Sequence, residues 1–83
     1  MVELTFSIKN SITHLTRIVL YTCTFTDEIR LINSTTNQNV NAKSLMGVAD
    51  FHYEPKDVLI LQANGIHEEE IALGFNNFIK NNF

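Results

Sequence analysis

Residues 2–9, VELTFSIK, alternate without a break: Val2, Leu4, Phe6 and Ile8 fall on one face, and Glu3, Thr5, Ser7 and Lys9 on the other. A period of two marks a half-buried strand, because successive side chains of an extended chain point to opposite faces of a sheet. The polar NSIT that follows offers capping residues, and in HLTRIVLYTC, residues 14–23, Leu15, Ile18, Val19 and Thr22 recur at helical spacing. Its β-branched residues lower helix propensity, so the pattern predicts a short helix held by packing. DEIRLIN (27–33) reads as a second strand, STTNQN (34–39) as a solvated turn and VNAK (40–43) as a third strand. SLMGVADF (44–51) predicts a short helix with Ser44 as its N-cap; YEPKD then turns the chain, and VLILQA (58–63) is the most apolar strand.

The last segment, 67–82, sets Ile71, Phe75, Phe78, Ile79 and Asn82 on one helical stripe, which Ala72 widens. Glu68, Glu69 and Glu70 crowd its first turn, where the helix dipole favours negative charge. Gly74 inside this helix costs about 1 kcal/mol relative to alanine, which predicts a close approach at that point. The order β-α-β-β-α-β-α, with short connections, predicts one α+β domain over residues 1–83. Its expected form is an open-faced two-layer sandwich, a four-stranded mainly antiparallel sheet with three helices on one face.

Composition narrows the functions. With 83 residues and 45% hydrophobic content there is enough apolar material for one core. The net charge of −3 and the scatter of the six basic residues argue against nucleic-acid binding. The longest apolar runs, 18–21 and 58–61, are too short for membrane insertion or a signal peptide, so a cytoplasmic protein is expected. Cys23 is the only cysteine, which excludes an internal disulfide and a cysteine-rich zinc site; it is expected as a small buried thiol. His52 and His67 form no metal-ligand spacing with Cys23 and read as surface or capping residues, so no metal and no cofactor are expected.

NAKSLMGV (41–48), followed by VLILQANGIHEEEIALGF (58–75), resembles the family of the histidine-containing phosphocarrier protein HPr of the bacterial sugar phosphotransferase system. That family carries N-x-K-S-[IL]-M-G-[VL] before a strand ending in A-x-G and a C-terminal helix. The resemblance spans the chain and is most specific over residues 40–83. It implies the same sandwich, and a phosphoryl carrier rather than an enzyme in the strict sense. Enzyme I, charged by phosphoenolpyruvate, would phosphorylate a histidine at the N-terminus of the first helix, and that histidine would pass the group to sugar-specific IIA proteins. A helix entrance favours the incoming phosphate, and a neutral imidazole nitrogen is a competent nucleophile near neutral pH.

On this resemblance His14 is the phosphoryl acceptor and Arg17 the cation that neutralises the phosphate. Ser44 matches a regulatory serine, the target of HPr kinase in many Gram-positive relatives, and Leu45, Met46 and Val48 match an apolar docking patch of which at least one member is expected in the core. The opening motif departs from the family's G-[LI]-H-A-R-P-A: ITHLTRIV has no glycine and no proline, and Arg17 stands three residues after His14 rather than two. Aligned without a gap, Arg17 meets the family arginine and Leu15 falls on the histidine position; shifted by one residue, His14 meets the histidine. With His14 as N-cap, Arg17 would stand at N3, one turn away on the same side. Two functions follow from the resemblance. One is a phosphorelay with Enzyme I and IIA proteins as partners. The alternative is a non-relaying regulatory paralogue that acts through phosphorylated Ser44 on a transcriptional regulator.

Overall fold

A computed structural model describes residues 1–8 and 15–82. The elements are β1 (Val2–Phe6), α1 (Thr16–Thr22), β2 (Glu28–Asn33), β3 (Gln38–Asn41), α2 (Leu45–Ala49), β4 (Leu59–Asn64) and α3 (Glu68–Asn82). The strands form one sheet in the order β1-β4-β2-β3, and every neighbouring pair is antiparallel. This is the α+β sandwich that the alternation and helical stripes predict.

Period two explains how the sheet acquires one apolar face. Leu4 pairs with Leu61, Leu61 with Leu31, and Leu31 with Val40, so one apolar rung crosses all four strands. On the opposite face Glu3, Gln62, Arg30 and Asn41 form a polar rung. The helices close over the apolar face with Ile18 and Val19 of α1, Val48 of α2, and Ile71 and Phe75 of α3, all in one buried cluster. Phe75 is almost fully buried, so burial of its ring alone favours folding by about 1.5–3 kcal/mol.

Two glycines fix close approaches. A β-carbon on Gly74 would collide with the Tyr21 hydroxyl, which donates to the Ile71 carbonyl at 2.8 Å and ties α1 to α3. The close approach expected at Gly74 is therefore the Tyr21 contact. Gly65 has φ +154°, and a β-carbon there would meet the Asp27 carboxylate. Side chains with a β-carbon rarely adopt that backbone region, so both geometry and space demand glycine.

Two local expectations are corrected. β3 begins at Gln38, because the turn is only four residues long and ends at Asn37 with φ 64°. The Asn33 side chain builds this turn, accepting from the Thr35 and Thr36 amides at 3.0 and 3.4 Å. Polar Gln38 and Asn39 hide in the strand because β3 is an edge and pairs through its backbone with β2. Cys23 is exposed, not buried: it is the C-cap of α1, past the last buried position Thr22. His67 is a capping residue as expected: it precedes α3, its carbonyl accepts the Ile71 amide at 2.9 Å, and its ring Nδ1 lies 2.8 Å from Oδ1 of buried Asp27.

Candidate functional site

The α1 entrance is built by Leu15. It is the N-cap, with φ −59° and ψ −23°, and its carbonyl accepts the Ile18 amide at 2.8 Å. A leucine has no side-chain acceptor for the free amides of a first turn, and no side-chain cap bond is made there. Its side chain instead joins the buried cluster. Arg17 is thus the second helical residue, two positions after the cap, rather than the N3 residue that a His14 cap would give. It is exposed and, with Leu20, Tyr21 and Phe78, lines a groove of about 380 Å³. The expectation for His14 itself lies outside the described residues.

Ser44 stands at the second helix entrance as an N-cap, in extended backbone with φ −93° and ψ 117°. Its Oγ accepts the Gly47 amide at 3.1 Å, and its carbonyl accepts the Val48 amide at 2.9 Å. The preceding turn holds it in place: Asn41 Oδ1 accepts the Lys43 amide at 2.9 Å, and the Asn41 carbonyl accepts the Ser44 amide at 3.0 Å. Beside this cap Leu45 is 59% exposed and Met46 is 79% exposed. Val48 is 1% exposed, so it is the member of the patch that lies in the core, as expected of at least one of the three: the fourth position after the N-cap turns toward the sheet. The reading of the motif missed Leu20, which is 75% exposed on α1. Its signal was present, since Leu20 lies off the stripe of Leu15, Ile18, Val19 and Thr22.

The structure also pairs residues that no motif singled out. Asp27 Oδ2 accepts the His67 amide at 2.7 Å, while Oδ1 faces His67 Nδ1. Burial pushes the Asp27 carboxyl up, but the His67 hydrogen bonds and charge, together with Lys43, outweigh it and hold it below the usual carboxylate value. Glu68, at the start of α3, is held low by the terminal ammonium, 3.0 Å away, and by the Gly65 amide. Glu68, the first of the three acidic residues there, is therefore occupied by structural contacts. Among the described residues no three His, Cys, Asp or Glu side chains gather as metal ligands, and no helix is long and apolar enough to cross a membrane.

The described chemistry comes down to two helix entrances. One is capped by leucine beside an arginine, and the other by a hydroxyl flanked by exposed apolar side chains. Known proteins share the fold. The family model PTS-HPr, described as the PTS HPr component phosphorylation site, matches residues 14–81. HPr-C-His from Thermoanaerobacter tengcongensis is 32% identical, superposes with a TM-score of 0.83, and is matched over 100% of this chain and 96% of its own. The HPr dimer from the same organism is 29% identical, with a TM-score of 0.69 and coverage of 98% and 95%. The Bacillus subtilis catabolite repression protein Crh shares the fold at 21% identity, with a TM-score of 0.68 and coverage of 100% and 98%. Curated protein sequences offer no match to the chain. The family model spans most of the chain and the first of these structures all of it: the chain belongs to the HPr family.

Proposed function

We propose that the chain is a regulatory member of the HPr family that acts through Ser44 rather than through a histidine relay. One observation carries the reading. The α1 cap is Leu15 and the arginine follows it by two residues, the spacing of histidine to arginine in the family motif. Leucine has no nucleophilic atom, so a phosphoryl group has no acceptor at that position. The second entrance keeps its chemistry. A phosphate on Ser44 would sit at the amide end of α2, where the helix favours negative charge, beside exposed Leu45 and Met46. The partners on this reading are an HPr kinase and a transcriptional regulator, in the cytoplasm of a bacterium.

The relay is the second reading, with His14 as acceptor, Arg17 beside it, and Enzyme I and IIA proteins of a sugar transport system as partners. It is favoured by the family match, which begins at His14 and whose description is a phosphorylation site.

Intact-mass measurement separates the two. Incubation with phosphoenolpyruvate and Enzyme I is expected to leave the mass unchanged. Incubation with an HPr kinase and ATP is expected to add one acid-stable phosphate that disappears in Ser44→Ala. An acid-labile phosphate from Enzyme I, absent in His14→Ala, would replace this reading with the relay.

A further inference from the structure

A cleft opens beyond the β2–β3 turn, where the loop from α2 to β4 folds back. Its volume is about 510 Å³, within the range of small-molecule sites, and Thr35, Thr36, His52, Tyr53, Glu54, Lys56 and Asp57 line it. The Asp57 carboxylate belongs to a residue only 4% exposed. Both of its hydrogen bonds arrive at one oxygen: Asn33 Nδ2 donates to Oδ2 at 2.9 Å, and the Glu54 amide donates to Oδ2 at 3.0 Å. Oδ1 has no hydrogen-bond partner among the described residues. Every fully buried side-chain nitrogen and oxygen among them has one, so Oδ1 touches solvent, and the cleft is the solvent space that Asp57 lines. The loop holds its turn through Oδ2, which leaves one oxygen of a charged, mostly desolvated carboxylate without a protein partner among the described residues.

Charge selects the ligand. Two carboxylates, Glu54 and Asp57, share the cleft with one ammonium, Lys56, which is 3.5 Å from Glu54, and with His52. Asp57 stays ionised because the Asn33 and Glu54 hydrogen bonds hold its carboxyl below the usual value. Tyr53 also lines the cleft, and aromatic side chains attract cations. An anion would meet Asp57 and be repelled.

We propose that this cleft binds an organic cation, a guanidinium or primary ammonium group seated on Asp57 Oδ1. With Oδ2 taken by Asn33 and the Glu54 amide, a guanidinium or ammonium N–H would donate to Oδ1 in a single charge-assisted hydrogen bond. The site shares no residue with the Ser44 surface, and its test does not depend on how the chain is phosphorylated.

The test uses the full chain labelled with ¹⁵N, at low salt and mildly alkaline pH. It is titrated with 1-butylguanidinium and with its uncharged isostere 1-butylurea. Saturable amide shifts at Thr35, Thr36, Glu54 and Asp57 are expected for the cation, with the urea binding about tenfold more weakly. Asp57→Asn is expected to lose about tenfold in affinity for the cation. Lys56→Ala alters an 80%-exposed side chain, leaves the fold intact, and keeps the test decisive if Asp57→Asn unfolds. It is expected to bind the cation about twofold more tightly. The blocked peptide Gly-Arg-Gly distinguishes sources: tighter binding than butylguanidinium points to an arginine of a partner protein, and equal or weaker binding to a free small cation. Equal binding of the urea, a response that never saturates, or Lys56→Ala binding no more tightly than wild type overturns the site.

Discussion

Ser44 has one oxygen with two uses, and they can be separated. As a cap it satisfies the Gly47 amide, so Ser44→Ala should lower stability by about 1 kcal/mol in urea unfolding. Ser44→Asp keeps an acceptor at the cap and should lose only a few tenths of that, although it too abolishes phosphorylation. The buried carboxylates make a second prediction at this scale. Asp27 and Asp57 both titrate below their ordinary value when folded, Asp27 because the His67 contacts overcome its burial and Asp57 chiefly because of Asn33. A folded value below the unfolded one gives stability that is fully present above about pH 4 and lost as pH falls through the folded values. Urea midpoints measured from neutral to acid pH should fall below about pH 4, and Asp57→Asn should make that fall shallower. An unchanged acid limb in the variant would remove Asp57 from the account.

Within α3, Gly74 sets a local preference against a tertiary contact. Helix propensity alone makes Gly74→Ala stabilising by about 1 kcal/mol. The Tyr21 hydroxyl occupies the space of the new methyl, so the substitution should destabilise instead. In a Tyr21→Phe background the hydroxyl is gone and the penalty should shrink, a coupling that a double-mutant cycle in urea would measure. The elements that could be read from the residues are those with an apolar pattern: β1, β2, β4 and α3 emerge with ends shifted by three residues at most. β3 is displaced because an edge strand of polar residues has no alternation to read. The start of α1 is misplaced because Leu15 serves both as cap and as core residue, and a leucine carries no capping signal. At the candidate site, Ser44 was legible as a cap from residue type, and Leu45 and Met46 as surface from the family motif. The Asp27–His67 and Asn33–Asp57 pairs were not, since partners 40 and 24 residues apart meet only through the sheet.

For the molecule as a whole, stability should be graded across the sheet. β4 and β2 pair on both sides, whereas β3 has one neighbour and α1 is a seven-residue helix without a side-chain cap. Native-state hydrogen exchange should therefore be slowest at Leu31 and Leu61 and faster in α1 and β3; α1 amides as slow as Leu61 would contradict this. The strand order also fixes a sequence of events in time. β2 and β3 are joined by a four-residue turn and can meet as soon as both exist, but β1 is paired in the sheet only with β4, more than fifty residues later. A ribosome that pauses before residue 59 therefore holds a strand with an apolar face and no partner in its own chain. Such a strand is adhesive toward other chains. For this protein, the hazard of misassembly depends on how quickly the stretch from β3 to β4 is translated.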